Sequence, residues 1–203
     1  MKRYKQNEIN LIINAIRDNK VLSVPTDTVY GICARVHSPE AFNKLVKVKN
    51  RPSNKSFPVM CSNIKQIKSI AIVDDKAEKL IRAFMPGPIT LVLRKNPDVF
   101  TYINNSGTRD TDELAIRMAP SALLKQVIDG VGSPLFMTSA NQSGQEICRN
   151  LDDIERCCPD LDGMIEGEVS FGEASTIVDC TGDTIKIQRN GPISEEEIMQ
   201  VLK

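Results

Sequence analysis

The sequence predicts an α/β domain built on a twisted, mixed β-sheet that is flanked by helices. Stretches with helical periodicity alternate with short apolar runs of strand type, and hairpin-type spacings indicate that some strands pair antiparallel. The chain has 203 residues, which suits a single domain over residues 1–203. Because aromatic residues make up only 4% of the chain and tryptophan is absent, Ile, Val and Leu must fill the interior.

The first half of the chain alternates helices with short strands. Isoleucines at helical spacing predict a helix over 7–19, and the strand 21–24 that follows should fray or end at Pro25. Ser38 as N-cap and Pro39 at the first helical position predict a helix that runs to about Val48. Beyond it we expect a strand over 57–61, a short helix over 63–69 and a helix from Asp74 or Asp75 through Met85.

The second half continues in the same way. We expect strands over 89–93, 114–118 and 134–138, helices over 121–129 and 152–158, and a hairpin of 175–180 with 184–188. Ser194 and Glu197 have the spacing of a capping box, which predicts a terminal helix.

Cysteine and histidine usage narrows the class of protein. The six cysteines show no CxxC spacing, so they resemble reduced core thiols of a cytoplasmic protein. His37 is the only histidine, which argues against a zinc site and against Ser-His or Cys-His catalysis, and we expect it at the surface. No run of about 18 apolar residues exists, and residues 1–10 lack the apolar core of a secretory leader. We therefore expect a cytoplasmic protein without membrane association.

Charge is balanced overall but unevenly distributed. The net charge is zero, which argues against coating by nucleic acid. Residues 41–73 carry seven basic side chains and no acidic one, whereas residues 146–183 carry eleven acidic side chains and two basic ones. One concentrated basic segment in a neutral protein favours a compact anionic ligand over a long polyanion.

Polar groups at the strand ends are candidates for binding. Thr26, Asp27 and Thr28 follow the first predicted strand, at the kind of position where open α/β sheets place ligands. The same residues equally suit an Asx or ST turn, and Asp27 could orient that turn or a metal-bound water. Arg117 is a charge inside the apolar strand AIRM, so it must pair or face a cleft.

Two further polar segments could each bind an anion or have a purely structural role. The cations Lys49, Arg51 and Lys55 in one loop could bind phosphate or form a solvated charge run. The turn 138–144 (TSANQSG) could donate hydrogen bonds to an anion or be an ordinary polar turn. No GxSxG, GxxxxGK[ST] or GxGxxG motif occurs, so any nucleotide binds without a classical phosphate loop.

Seven short motifs occur in a fixed order along the chain. They are PTDTVYG (25–31), KNRP (49–52), PGPITLVL (86–93), AIR (115–117), TSANQSG (138–144), STIVD (175–179) and QRNG (188–191). This series resembles the YrdC-like L-threonylcarbamoyladenylate synthases, over the chain from about residue 8 to its end. The chain is similar to the single-domain form of that family.

The resemblance implies both a reaction and a fold. The family condenses L-threonine, bicarbonate or CO2 and ATP, with Mg2+, into threonylcarbamoyl-AMP and pyrophosphate. The product serves the N6-threonylcarbamoyl modification of adenosine 37 in tRNA. The implied fold is a twisted sheet around a large, positively lined cavity. The implied partners are downstream tRNA-modifying transferase proteins, with tRNA or double-stranded RNA as a candidate ligand.

The resemblance also implies roles for individual positions. On the ATP side it points to Lys49, Arg51, Lys55, Ser139, Asn141, Arg149 and Arg189, with Lys49 and Arg51 as the catalytic, charge-neutralising pair. On the threonine side it points to Thr28, Arg117, Ser139 and Ser175. Met60 stands near the place of a histidine in some members, and that role is not carried over. The alternatives are a non-catalytic RNA-binding protein of the same fold and an ATP-dependent carbamoylation of another amine.

Overall fold

A ten-stranded mixed sheet organises the part of the chain that the structure describes. The structure is a computed structural model, and it describes residues 1–51, 56–99, 112–169 and 174–203. The strands are β1 (Lys2–Tyr4), β2 (Leu22–Pro25), β3 (Tyr30–Arg35), β4 (Val59–Met60), β5 (Ile89–Arg94), β6 (Glu113–Arg117), β7 (Leu135–Ser139), β8 (Gly163–Ile165), β9 (Thr176–Asp179) and β10 (Lys186–Arg189). They lie in the order β1-β8-β2-β3-β7-β4-β6-β5-β9-β10, with parallel and antiparallel pairs. This confirms the predicted fold class.

Each predicted helix is present and begins close to its expected cap. The helices are α1 (Ile9–Arg17), α2 (Pro39–Lys49), α3 (Ile64–Ile70), α4 (Asp75–Phe84), α5 (Ala122–Val131), α6 (Leu151–Cys157) and α7 (Glu195–Leu202). The Ser38 hydroxyl accepts the N–H of Ala41 at 3.1 Å, which caps α2. Ser194 and Glu197 form the predicted capping box of α7.

The predicted strands are also present, but three strands of the sheet were not predicted. These are β1, β3 and β8. The most important is β3, because it returns antiparallel to β2 directly after residues 26–29. That segment is therefore a hairpin turn. The predicted ligand position at the end of β2 is thus the turn of an antiparallel hairpin.

Side-chain alternation gives the sheet two different faces. On one face, Ile32, Ile116 and Phe136 belong to a hydrophobic cluster that also contains buried residues of α2, α3, α4, α6 and α7. On the other face, Leu22 and Met137 pack in a second cluster with buried residues of α1 and α5. Among the described helices, α1 and α5 are the ones that contribute buried residues to this second cluster, and the rest of that face holds the cavity described below.

Two expectations about surface and core residues are confirmed. His37 is exposed. All six cysteines are free thiols, and five of them are buried. Within the described residues, no helix is both long enough and apolar enough to cross a membrane.

Candidate functional site

A cavity of about 400 Å³ lies on the second face of the sheet. Its lining includes pairs of residues two positions apart on one strand, such as Ala115 with Arg117 and Met137 with Ser139, as expected for side chains on one face. The described residues that line it are Thr26, Thr28, Val29, Gly31, Arg51, Pro58, Val59, Met60, Thr90, Ala115, Arg117, Met137, Thr138, Ser139, Ile147, Ala174, Ser175, Ile177 and Arg189. Residues from all seven sequence motifs thus meet at or beside one cavity.

The hairpin turn between β2 and β3 brings Thr28 to this cavity. The Thr26 hydroxyl organises the turn: its oxygen accepts the N–H groups of Thr28 and Val29, both at 3.2 Å, and it donates to the Val29 carbonyl at 2.6 Å. This is an ST turn built on Thr26. Asp27, which the sequence left open as an Asx-turn residue, instead directs a carboxylate oxygen to Arg117.

Arg117 at the end of β6 is buried, lines the cavity and is anchored at two points. Its Nη2 donates to Asp27 Oδ2 at 2.5 Å, and its Nε donates to the Gly87 carbonyl at 3.1 Å. The sequence predicted that this charge would pair or face a cleft. Arg117 both pairs with Asp27 and faces the cavity. The pairing is needed because burying a guanidinium without partners costs free energy.

Arg189 and Ser175 form a second anchored group. Nε and Nη2 of Arg189 donate to the Ser175 carbonyl at 2.9 and 2.7 Å, and Nη2 also donates to the Ser175 hydroxyl at 3.1 Å. Burial and the nearby positive charge of Arg117 lower the pKa of Arg189. The Ser175 hydroxyl is 2.8 Å from the Thr90 hydroxyl.

Thr90 is a cavity residue that the sequence reasoning missed. It lies on β5 within ITLVLR, where it is the one hydroxyl in an otherwise apolar run that ends in arginine. The reasoning that singled out Arg117, a polar side chain inside an apolar strand, would have found it.

Arg51 reaches the cavity from the loop after α2. Asn50 ends that helix in the left-handed region at φ 44°, which turns the chain toward the site. The Arg51 guanidinium donates to the Ser56 carbonyl at 2.5 Å and lies 4.5 Å from the centroid of the Phe57 ring. Burial lowers its pKa. These contacts hold the cation against an aromatic face.

Lys49, two residues earlier, does not line the cavity. Its side chain is enclosed, with 1% of the residue exposed. Its ammonium donates to the carbonyls of Ser139 and Asn141 at 2.7 and 2.5 Å and to Asn141 Oδ1 at 2.7 Å. Burial lowers the pKa of Lys49 to about 8. The structure thus joins the Lys-x-Arg and Ser-x-Asn motifs, with Arg51 and Ser139 at the cavity and Lys49 and Asn141 behind it.

Of the remaining predicted positions, Arg149 does not line the cavity. Arg149 is exposed, and its backbone N–H donates to Asp153 Oδ2 at 3.3 Å. Lys55 lies outside the described residues. Met60 does line the cavity.

The chemistry of the lining suits anions. Three arginines, Arg51, Arg117 and Arg189, face it together with hydroxyl groups, and the described lining contains no carboxylate. The described residues also hold no group of three His, Cys, Asp or Glu side chains that could bind a metal ion. These residues therefore do not form a set of protein ligands for Mg2+. Mg2+ binds oxygen ligands, such as those of phosphates and water. The site can bind a carboxylate and phosphate groups side by side.

Comparisons with known proteins identify relatives of this chain. The Sua5/YciO/YrdC family model, described as "Telomere recombination", matches residues 14–191. A protein of Bacillus subtilis named threonylcarbamoyl-AMP synthase is 33% identical over 193 residues, covering 92% of this chain and 54% of its own. One of Yersinia enterocolitica with the same name is 30% identical over 170 residues, covering 80% of this chain and 87% of its own.

Solved structures of other proteins share the fold of this chain. The crystal structure of Pyrococcus abyssi Sua5 complexed with L-threonine superposes with a TM-score of 0.87 at 27% identity, covering 99% of this chain and 60% of that one. Escherichia coli YciO superposes with a TM-score of 0.83 at 21% identity and shares the fold over 97% of this chain. The chain therefore spans just over half the length of the Bacillus and Pyrococcus relatives. Since the family model extends over most of the sequence, the chain belongs to the Sua5/YciO/YrdC family.

Proposed function

We propose that this chain is an L-threonylcarbamoyladenylate synthase, which forms threonylcarbamoyl-AMP and pyrophosphate from L-threonine, bicarbonate or CO2 and ATP. The observation that carries the proposal is the cavity in which Arg51, Arg117 and Arg189 meet hydroxyls from distant motifs. The names of the Bacillus and Yersinia relatives support it. The product would pass to downstream transferase proteins that modify tRNA, in a cytoplasmic setting that suits the free thiols.

On the amino-acid side, Arg117 would receive the carboxylate of threonine. Its guanidinium is anchored by Asp27 and Gly87, so it offers its remaining N–H groups in a fixed orientation. The hydroxyls of Thr28, Ser139 and Ser175, all at the cavity, would take the polar groups of the same substrate. A site that hydrogen-bonds the threonine hydroxyl would reject valine strongly.

On the nucleotide side, Arg51 and Arg189 would hold the phosphates of ATP. An oxygen of the threonine carbamate attacks the α-phosphorus, and the bond to pyrophosphate breaks with its electron pair leaving on the bridging oxygen. Such a step depends on positioning and charge stabilisation, which fixed arginines supply. Mg2+ bound with ATP would neutralise part of the phosphate charge. Lys49 and Asn141 would act from behind the cavity, by holding the loop that carries Ser139.

The decisive measurement is pyrophosphate release from ATP. We expect release that requires both L-threonine and bicarbonate, and a fall in kcat/KM of about 100-fold or more in Arg117→Met, because removing one partner of a buried, hydrogen-bonded charge pair costs about 2–5 kcal/mol. A matched control is Arg82→Met, since Arg82 forms an exposed ion pair with Glu78 on α4.

Pyrophosphate release that does not depend on threonine would defeat the proposal. An Arg117→Met variant, folded by circular dichroism, that keeps the rate of Arg82→Met would instead contradict the role assigned to Arg117.

A further inference from the structure

We propose that Asp27 is a positioning residue for Arg117, which holds its guanidinium so that its remaining N–H groups receive a carboxylate in the cavity. Asp27 itself is not among the residues that line the cavity, so it acts through Arg117. The identity of the carboxylate ligand, L-threonine, rests on the proposed function.

The contact between the two side chains is short and shielded. Arg117 Nη2 lies 2.5 Å from Asp27 Oδ2, and the exposed fractions of the two side chains are 10% and 20%. Charge-assisted hydrogen bonds of this kind are stronger than neutral ones, and they are little screened when water is excluded. The contact therefore constrains the arginine more than a surface ion pair would.

The second anchor of the guanidinium comes from a different loop. Arg117 Nε donates to the Gly87 carbonyl at 3.1 Å, and the Gly87 N–H donates to the Met118 carbonyl at 2.9 Å. A planar group held at Nε and at Nη2 cannot rotate about its long axis without breaking one bond. Removing Asp27 leaves a single anchor, and the guanidinium regains rotational freedom that a ligand must then remove.

The backbone turn that carries Asp27 is itself hydrogen-bonded. The Thr26 hydroxyl accepts two N–H groups of the turn, and the register Pro25↔Tyr30 closes the hairpin beneath it. A rigid turn thus connects the β2–β3 hairpin to the end of β6. This connection also gives a physical reason why PTDTVYG, PGPITLVL and AIR occur together.

Simple electrostatics predicts the opposite effect, which makes the proposal decidable. Asp27 carries a negative charge, so its removal would relieve repulsion of a bound carboxylate and tighten binding. Arg51 and Arg189 keep the cavity positive with or without Asp27. Positioning predicts that binding weakens when Asp27 is neutralised, whereas competition by charge predicts that it strengthens.

The test is calorimetric binding of L-threonine and of L-threoninamide, which lacks the carboxylate. In Asp27→Asn we expect threonine affinity to fall about tenfold and the preference for threonine over the amide to fall with it, since the hydrogen bond from Arg117 to a carboxylate becomes a weaker one to an amide oxygen. ATP affinity should stay close to that of the unaltered protein, and circular dichroism should show that the variant is folded. Asp27→Glu should restore part of the preference. Asp152→Asn is the matched control, because Asp152 forms an exposed ion pair with Arg3 at 2.6 Å.

Unchanged or tighter threonine binding in Asp27→Asn would overturn the proposal, and so would equal losses for threonine and its amide. If the unaltered protein binds no threonine, the proposed function fails, and the positioning role is decided by NMR instead. The Nη2–H resonances of Arg117, assigned with Arg117→Lys, should be protected from solvent exchange by the bond to Asp27 and should lose protection in Asp27→Asn, whose amide oxygen is a weaker acceptor. Unaltered protection in that variant would overturn the role.

Discussion

Lys49 carries its positive charge into a place that water barely reaches. With 1% of the residue exposed, the ammonium would be costly without the three oxygens of Ser139 and Asn141 around it. The sequence left two interpretations open, a phosphate ligand and a solvated charge. The structure supports neither for this residue, because its partners are oxygens some 90 positions away, two of them backbone carbonyls.

This burial predicts a pH dependence of stability. The pKa of Lys49 is lowered from 10.5 to about 8 in the folded protein, so between these values the unfolded chain binds more protons at this site than the folded one. Stability from this group therefore rises with pH above about 8 and is constant below it. The free energy of unfolding, relative to Lys49→Met, should increase by roughly 1 kcal/mol per pH unit between pH 8 and about 10.

Urea unfolding of both proteins at several pH values measures the slope. Other groups that titrate in the same range occur in both proteins and cancel in the difference, except the Cys158 thiol, whose pKa the charge of Lys49 lowers. Lys47→Met is the control, because Lys47 is a neighbouring lysine whose side chain is 75% exposed. A slope no larger than that of the control would show that Lys49 is not buried in its charged form.

At the scale of elements, strand prediction succeeded for seven of the ten described strands and failed for β1, β3 and β8. The runs ITLVLR and ELAIR were predicted because they are β-branched and Leu-rich. β3 was missed because its sequence YGICAR contains Gly, Cys and Ala, which give weak strand signals. β1 and β8 have three residues each, and their pairing partners lie far along the chain, so no local pattern reveals them.

Gly191, which follows β10, allows a test of how strongly the β9–β10 hairpin fixes the positions of Ser175 and Arg189. A Cβ at Gly191 would lie 2.5 Å from the Ala174 carbonyl oxygen and from the Thr176 nitrogen. These are backbone atoms, so the start of β9 would have to move, and with it Ser175 and the bonds that Arg189 makes to it. We expect Gly191→Ala to cost about 1–3 kcal/mol of stability and to lower activity as well.

Gly182→Ala is the matched control within the same hairpin. A Cβ there would meet its nearest atom, the Thr184 carbonyl oxygen, at 3.5 Å, which is ordinary contact. Thermal unfolding and pyrophosphate release of the two variants should therefore separate clearly. Equal melting temperatures would mean that the backbone around Ser175 can move at little cost in stability.

At the scale of the whole molecule, the cavity forms because helices cover only part of the second face of the sheet. Residues of five helices pack with one face of the sheet, whereas α1 and α5 join the cluster on the other face. Alternation along the strands then sends Arg117, Thr90 and Ile177 to the part of the second face that forms the cavity. Local patterns predicted the individual strands, but which face stays open depends on the order of all ten strands, and no local pattern contains that order.

The tertiary structure also explains the uneven distribution of charge along the sequence. Lys44 pairs with Asp162 at 2.5 Å and Lys47 with Asp160 at 3.4 Å, so lysines of the basic segment 41–73 meet aspartates of the acidic segment 146–183. Lys68 pairs with Glu78 at 2.7 Å, and Lys49 is enclosed. A large share of the basic segment is therefore used inside the molecule, which weakens the alternative of an RNA-binding protein.

This pairing predicts a shallow salt dependence for RNA affinity. Each phosphate that a protein neutralises contributes about −0.7 to −0.9 to the slope of log K against log salt. With most of these lysines occupied, a short RNA stem-loop should bind weakly, with a slope no steeper than about −2 between roughly 50 and 200 mM salt. The double variant Asp160→Asn with Asp162→Asn releases Lys47 and Lys44, so its slope should become steeper by about one to two units, as measured by fluorescence anisotropy. A slope of about −5 or steeper in the unaltered protein would restore the RNA-binding alternative, because it would require the neutralisation of about six phosphates.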